Sequence, residues 1–267
     1  MTIKATYYTH MGSDLMPVNA ARVSFGKSSN FVHIDKVEAY PGMKLQGQQQ
    51  NFALPKADHN LIHFLARGCT SGEWDANIGI LAANDIECDE AERILKWAKN
   101  MPTHWTPFSH PHITIVEQVP IFVARQRFKH MVGFTYNEVS RRYVDDEPEF
   151  YVPSEWRSRP QGSVKQGSGG KHPDNDEIKK AYDTLIQGAL SSYVHAIDEG
   201  IAPEQARMIL PQSMLTEYWV TGSLYAWANA YIQRSDSHAQ LEIQELAKQW
   251  DEIIRPLYPV SWSALVD

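Results

Sequence analysis

Two different apolar periods lie next to each other between residues 112 and 132, and together they limit the possible folds. Residues 112–119 (HITIVEQV) alternate in side-chain character, which is typical of a strand with one buried face. Residues 121–132 (IFVARQRFKHMV) combine apolar positions with cations and predict a partly buried helix. A strand that leads into a helix indicates a mixed chain. We therefore expect an α+β fold, with a mainly antiparallel sheet, packed helices and a helical C-terminal half.

The remaining elements follow from the same kind of pattern. The N-terminal segment predicts a strand, a turn and a short helix, whereas residues 27–60 show no period. In the C-terminal half, a capping box at Ser237 and Gln240 predicts the start of the last long helix. Further helices are predicted over residues 58–68, 90–101, 177–197, 203–210 and 215–234.

Length and composition describe an ordinary globular chain of 267 residues, 43% hydrophobic and with a formal net charge of -7. We predict a single catalytic domain over residues 1–267, with a mobile Gly- and Ser-rich loop at about 158–176. Cys69 and Cys88 are too few for a disulfide framework or a thiolate metal site. With no apolar leader or run of membrane length, a cytoplasmic protein is the expectation.

Cations are concentrated in one short segment of this acidic chain, residues 120–156. The positive side chains there are Arg125, Arg127, Lys129, Arg141 and Arg142, with His130 among them. A local cationic cluster in an acidic protein indicates a site for a small anion rather than a surface for nucleic acid.

Two interpretations of this segment stay open at the level of residues alone. If the chain after Gly133 is extended, Glu138, Ser140 and Arg142 point to one side. An acceptor, a hydroxyl donor and a guanidinium on one face can hold a polar, phosphorylated ligand. The alternative is a solvated charged helix followed by an edge strand.

Histidines supply a rival hypothesis. His110 and His112 are two residues apart on the predicted strand, and with His104 or His130 they could bind zinc or iron in a hydrolase. Arg207 and Arg234 lie in apolar helical sequence, where a cation needs an anionic ligand or a structural ion pair.

Several ordered blocks resemble the signature regions of the flavin-dependent thymidylate synthases. Residues 137–143 read Asn-Glu-Val-Ser-Arg-Arg-Tyr, and residues 129–131 read Lys-His-Met where the family has Arg-His-Arg. Residues 104–110 (HWTPFSH), 149–154 (EFYVPS) and 234–240 (RSDSHAQ) are similar to further family blocks. Blocks that occur in the family's order are more specific than any one of them.

The resemblance implies reductive methylation of dUMP, with methylenetetrahydrofolate as carbon donor, FAD as the redox cofactor and NADPH as its reductant. Its catalytic residues would be Ser140 and Arg234, and no metal is implied. Contacts to dUMP are implied for Gln126, Glu138, Ser140, Arg142, Arg207 and Arg234. Contacts to FAD are implied for His104, Thr106, Lys129, His130 and Asn229. The family builds its sites across subunits, so a homotetramer is expected.

Five positions depart from the family pattern on the cofactor side. Lys129 and Met131 replace arginines, Ser109 replaces a glutamate, and Ser223 and Tyr225 stand where Asn and Arg are expected. Lysine lacks the two-pronged geometry of arginine, and methionine has no charge. Flavin affinity or substrate choice could therefore differ, which leaves a relative acting on another pyrimidine nucleotide as the nearest alternative.

Overall fold

The computed structural model describes residues 3–33, 52–83, 88–99, 103–144, 146–160 and 167–267. The predicted turn at 40–42 and the polar stretch 47–51 lie outside these ranges. The strands are β1 Lys4–Met11, β2 Val32–His33, β3 Phe52–Ala53, β4 His112–Pro120, β5 Phe134–Glu138 and β6 Leu215–Ser223. The helices are α1 Leu15–Arg22, α2 Lys56–Arg67, α3 Ser71–Leu81, α4 Cys88–Lys99, α5 Ile121–Arg127, α6 Asn175–Asp198, α7 Pro203–Ala206, α8 Leu224–Ser235, α9 Leu241–Ile254 and α10 Pro259–Val266.

A four-stranded sheet has the strand order β1-β4-β6-β5, and β2 and β3 form a separate antiparallel pair. β5 runs antiparallel to β6, with Phe134 opposite Gly222 and Glu138 opposite Tyr218. Antiparallel strands together with many helices make this a mixed α+β chain, which confirms the predicted fold class.

The alternation in β4 has the predicted consequence for burial. Ile113, Ile115 and Glu117 are buried, whereas the residues between them are partly exposed. Glu117 is as buried as its apolar neighbours, so it needs a partner in the interior.

The chain divides into two compact units. The first unit contains Met1–Thr9, Thr114–Gly222 and Asn229–Asp251, and the second contains His10–Ile113, Ser223–Ala228 and Glu252–Asp267. Trp250 and Tyr218 are large buried side chains of the first unit, and Trp227 and Trp262 of the second. That residues 1–267 act as one catalytic domain stays a prediction.

The helix predicted over residues 215–234 is wrong in its first half. Residues 215–223 form β6, and the helix α8 begins only at Leu224. The stretch carries Thr216, Tyr218 and Val220, and β-branched and aromatic residues favour a pleated strand. All three of these side chains are buried, which fits a period of two along one face.

Other element boundaries also differ from the prediction. α5 ends at Arg127, so Lys129 and His130 lie beyond the helix and not on its faces. α9 begins at Leu241, four residues after Ser237, so Ser237 does not stand at the helix start where the capping box was predicted. The Asp236 carboxylate accepts a hydrogen bond from the His238 N–H in this segment. The predicted loop begins as an ordered ribbon, since Arg157 pairs with Lys171 and Ser158 with Gly170.

Candidate active site

A cavity of about 840 Å³ lies within the first unit. Its walls come from α5, the end of α8, the segment after α8, and the two sides of the ribbon around Arg157. The lining residues are Gln126, Arg157, Gly167, Ser168, Ile232, Gln233, Arg234, Asp236, His238, Ala239 and Gln240. A cavity of this size suits a ligand as large as a nucleotide, and two of the predicted nucleotide contacts, Gln126 and Arg234, line it.

Arg234, in the last turn of α8, is held in place by two hydrogen bonds. Its Nε donates to His130 Nε2 at 2.8 Å, and its Nη2 donates to the main-chain oxygen of Gln126 at 3.1 Å. Within the described ranges, no hydrogen bond from its Nη1 is found. The guanidinium is therefore fixed at one edge and retains donors for a ligand.

His130 is a neutral acceptor in this arrangement. Burial, with Arg234 and Arg127 nearby, lowers the pKa of His130 from 6.5 to about 4. At neutral pH its Nε2 therefore accepts from Arg234, and the ring proton is on Nδ1. Burying a neutral imidazole beside the Arg234 guanidinium costs less free energy than burying a second positive charge there.

Arg127 stabilises the region around His130 from the interior. The sequence alone does not distinguish it from the neighbouring cations. Its buried guanidinium pairs with buried Glu117 at 3.3 Å and lies 4.8 Å from the ring centroid of Trp250. Its Nη1 donates to Tyr136 Oη at 2.6 Å, and that hydroxyl donates to the main-chain oxygen of His130 at 2.6 Å. Burial raises the pKa of Tyr136 to about 12, so it remains a donor.

The block around Ser140 is not an extended strand, which corrects the predicted alternation. β5 ends at Glu138, and residues 141–143 form a turn in which the Tyr143 N–H donates to the Ser140 carbonyl at 3.0 Å. Glu138 Oε1 accepts from Thr216 Oγ1 at 2.7 Å. Ser140, Arg142 and Glu138 are therefore near in sequence but do not share one strand face.

Arg142 and Arg207 are exposed cations that do not line the cavity of the first unit. Arg142 lies 4.9 Å over the Tyr143 ring, and Arg207 Nε donates to the Glu204 carbonyl at 3.2 Å. Both guanidiniums are accessible, as a phosphate ligand requires.

The predicted flavin residues fall in both units. His104 and Thr106 lie at a 3-10 turn of the second unit, where His104 stacks on Phe64 at 5.9 Å. Lys129 and Asn229 belong to the first unit. All four are exposed, and within the described ranges none donates or accepts a side-chain hydrogen bond.

Two of the departures have structural roles. Buried Ser223 Oγ accepts from the Ala226 N–H at 3.2 Å, so it caps the start of α8. Tyr225 stacks on Trp105 at 5.5 Å. These positions make packing and capping contacts in place of the flavin contacts of the family pattern.

The metal hypothesis is not supported. His112 Nδ1 lies 2.8 Å from the carbonyl of His110. Across the part of the chain that the structure describes, no group of three or more His, Cys, Asp or Glu could hold a metal ion.

Three further residues that line or support the cavity were missed. Arg157 Nη2 donates to Glu242 Oε1 at 2.6 Å, and Gln240 Nε2 donates to Glu242 Oε2 at 2.8 Å. The sequence pattern assigns Gln240 to a capping box and does not single out Glu242. The available signal was the position of Glu242 on the buried side of α9, together with Ile243 and Leu246.

The guanidinium of Arg234, the neutral imidazole of His130 and the cavity of about 840 Å³ together form a polar site with unused hydrogen-bond donors. The chain matches the Thy1 family, described as "Thymidylate synthase complementing protein", over residues 7–260. It is 30% identical over 260 residues to the flavin-dependent thymidylate synthase of Thermosipho africanus, covering 96% of this chain and 87% of that protein. It is also 32% identical over 167 residues to the flavin-dependent thymidylate synthase of Thermosipho melanesiensis, covering 61% of this chain and 71% of that protein.

A solved structure is also similar. The UMP/dUMP methylase PolB from Streptomyces cacaoi, bound with 5-Br dUMP, superimposes with a TM-score of 0.68 at 25% identity, covering 98% of this chain and 93% of that one.

The chain belongs to the flavin-dependent thymidylate synthase family. It is accordingly a flavin-dependent enzyme. Among the described helices, none is long and apolar enough to cross a membrane.

Proposed function

We propose that this enzyme converts dUMP to dTMP, taking the carbon from methylenetetrahydrofolate and using NADPH to reduce FAD. The proposal rests on the position of Arg234. This residue lies in a family block, and its guanidinium is fixed at the cavity wall with unused hydrogen-bond donors. Family membership supplies the reaction class.

Arg234 would bind the uracil edge. As the ring is activated at C5, negative charge grows on the pyrimidine oxygens, and a fixed guanidinium stabilises that charge. The hydrogen bonds to His130 and to the Gln126 carbonyl keep the guanidinium from turning away. Its orientation is thereby set before the substrate arrives.

The phosphate would be held by exposed arginines. Arg142 and Arg207 are accessible, and each offers a planar fork of donors to phosphate oxygens. Ser140 would add a hydroxyl donor that positions the nucleotide, and Glu138 an acceptor. Gln126 completes the set from the cavity wall.

The flavin would be held by His104, Thr106, Lys129, His130 and Asn229. When bound, FAD supplies the hydride for the reductive step. Lys129 offers a point charge to a phosphate where the family has a guanidinium. His130 accepts from Arg234 through Nε2 and keeps the Nδ1 proton for a ligand, so it would link the nucleotide and flavin contacts.

We further propose a homotetramer with shared active sites, located in the cytoplasm, where soluble nucleotide substrates occur. α6 supports the assembly, because only three of its residues are buried and Leu185 and Val194 are exposed. Val132 is 92% exposed and lies three residues after Lys129, and Met208 is 78% exposed and follows Arg207. Apolar side chains at such positions are typical of surfaces that a second copy covers.

The test is anaerobic release of tritium from C5 of labelled dUMP, with FAD, NADPH and methylenetetrahydrofolate present and each then omitted. Release that requires both flavin and folate supports the proposal. Ser140→Ala should weaken turnover severely without abolishing it, because its role is to position. Protein that binds flavin but releases no tritium would contradict thymidylate synthesis.

A second candidate is methylation of a ribonucleotide at the same site. The similar structure of PolB is that of a UMP/dUMP methylase, and the similarity covers nearly the whole chain. Running the same assay with 5-tritiated UMP separates the two, since a strict thymidylate synthase leaves UMP unreacted.

A further inference from the structure

A second cavity, of about 370 Å³, shares a wall with the larger one inside the first unit. Arg157, Ser168 and Gln240 line both cavities. The described residues that line the smaller cavity include none of those proposed to hold dUMP or the flavin. It therefore has room for a ligand group to which the proposed function assigns no residues.

Aromatic side chains are the main feature of this smaller cavity. They belong to Phe122, Tyr151, Trp156 and Tyr182, and all four are half-buried. Trp156 lies edge-on to Tyr182 with ring centroids 5.2 Å apart, and Tyr182 Oη donates to the main-chain oxygen of Tyr151 at 2.6 Å. Rings held in place in this way suit a flat aromatic ligand.

Carboxylates supply the polar edge of the smaller cavity. Glu155 is exposed, and Glu242 is buried. An ionised carboxylate only accepts hydrogen bonds, and each of its oxygens can accept more than one. Glu242 therefore keeps acceptor capacity, although Arg157 and Gln240 already donate to it. The flat group that fits here carries an N–H donor at its edge, as an aminated base does.

Arg157 stands at the boundary between the two cavities. Its Nη2 donates to Glu242 Oε1 at 2.6 Å, and its Nε donates to Ser168 Oγ at 2.8 Å. Among the residues that the structure describes, no acceptor for Nη1 is found. The Ser168 hydroxyl keeps its own proton to donate. Since Glu242 balances the charge of Arg157, these donors would bind an anion through short, directed hydrogen bonds rather than by long-range attraction.

We propose that the smaller cavity binds the adenine ring of the pyridine nucleotide and that Arg157 and Ser168 bind its 2′-phosphate, an inference that rests on the proposed function. Adenine is flat, and its amino group can donate to a carboxylate. The 2′-phosphate is attached to the ribose next to the base, within reach of donors at the boundary of the cavity. Because NADPH carries this phosphate and NADH does not, Arg157 determines the choice between them.

The experiment measures binding of 2′,5′-ADP and 5′-AMP to the FAD-loaded enzyme by calorimetry. The two probes differ only in the 2′-phosphate, and neither can reduce the flavin, so the result is independent of turnover. We expect 2′,5′-ADP to bind about tenfold more tightly, as one charge-assisted hydrogen bond contributes. Loaded enzyme that binds neither probe overturns the inference, as it would if the adenine of FAD filled the cavity.

Variants at the boundary should change this ratio. Arg157→Gln keeps an amide donor for Glu242 but removes the guanidinium, and it should bring the two affinities near parity. Ser168→Ala removes an exposed hydroxyl and should reduce the preference without disturbing the fold. Arg159→Gln, which removes an exposed cation two residues further on, should retain the wild-type ratio. A wild-type ratio in both Arg157→Gln and Ser168→Ala overturns the assignment of the 2′-phosphate.

A variant of the aromatic wall tests the adenine ring. Trp156→Leu should weaken both probes by a similar factor and keep their ratio, because it removes ring contacts but no phosphate donor. Trp74→Leu, in the second unit, should bind both probes as the wild type does. Unchanged affinities in Trp156→Leu overturn the assignment of the ring.

The proposed function can fail separately from this inference. Enzyme whose flavin is reduced with dithionite needs no pyridine nucleotide, so its release of tritium from dUMP reports on thymidylate synthesis alone. Tritium release without probe binding overturns the inference and leaves the proposed function standing. Probe binding with the expected ratio but no tritium release supports the adenine site and contradicts thymidylate synthesis.

Discussion

Arg127 and Arg234 lie in the same unit and both belong to the corner around His130, yet their surroundings differ. Arg127 is fully buried, pairs with Glu117 and lies against aromatic rings. Arg234 is half-buried and lines the cavity, and among the described residues its guanidinium donates to an imidazole and a carbonyl. The role of a cation therefore depends on how many of its hydrogen-bond donors the fold has already used. Arg127 stabilises the structure around His130, whereas Arg234 keeps donors with which it can bind a ligand.

Removing the buried cation should produce the largest effect. Arg127→Met removes the guanidinium that pairs with buried Glu117, which also accepts from the Tyr218 hydroxyl, and we expect a loss of about 3–5 kcal/mol in unfolding free energy. Urea denaturation measures it. Arg125→Met, on an exposed position of the same helix, should change stability by less than about 0.5 kcal/mol. Equal losses in the two variants would remove the distinction between them.

Removing the cavity cation should affect binding rather than folding. Arg234→Ala should weaken dUMP binding by about 1.5–3 kcal/mol, roughly ten- to hundredfold, because charged hydrogen bonds are lost. Equilibrium dialysis with labelled dUMP gives the affinity. Lys179→Ala, which removes an exposed cation from α6, is the control for net charge. Unchanged dUMP affinity in Arg234→Ala would count against the assignment.

Replacing Tyr136, whose hydroxyl connects Arg127 to His130, should affect both stability and dUMP binding. Tyr136→Phe takes the acceptor from Arg127 Nη1 and the donor from the His130 carbonyl, costing about 1–3 kcal/mol in stability. It should also weaken dUMP binding, though less than Arg234→Ala does, since His130 is then less firmly placed. Tyr143→Phe, an exposed tyrosine, should alter neither quantity. A stability loss with unchanged affinity would mean that the two regions are independent.

A further expected effect is on the pH dependence of stability. The pKa of His130 is about 4 in the folded protein against 6.5 unfolded, so below pH 6.5 the unfolded chain takes up the proton first. Stability therefore falls as the pH drops from 6.5 to about 4, and His130→Gln should reduce that slope. His63, whose pKa burial also lowers to about 4, is the comparison. His63→Gln should reduce the slope and spare dUMP binding, and a wild-type slope in His130→Gln would contradict the assignment.

Sequence patterns predicted those parts of the fold in which one face is buried. Ile113, Ile115 and Glu117 alternate in sequence and are buried as the alternation requires. α6 was recognised over nearly its full length because a helical period runs through it. β6 was mistaken for helix because side-chain polarity does not follow burial along it: Thr216 is buried and Trp219 is exposed, so the alternation is hidden in the sequence. The short helix α10 was missed for a similar reason, since Trp262 and Ala264 are buried in a chain segment with little amphipathic pattern.

The candidate site was predictable only where family blocks mark it. Gln126 and Arg234 were identified through such blocks, and both line the cavity. Glu242 and Arg157 lie 85 residues apart and meet only in the folded chain, so no local pattern could join them. Arg127 gave no signal of its own, because its role follows from Glu117 on a different element.

The junction between β6 and α8 has a consequence for how this enzyme can change over evolution. Ser223 ends the strand, Leu224 begins the helix, and Arg234 stands in the last turn. With no loop between strand and helix, an inserted residue cannot be absorbed locally. One extra residue in α8 would rotate Arg234 by about 100° around the helix axis and carry it off the cavity wall. We therefore expect insertions and deletions among relatives to avoid residues 215–235.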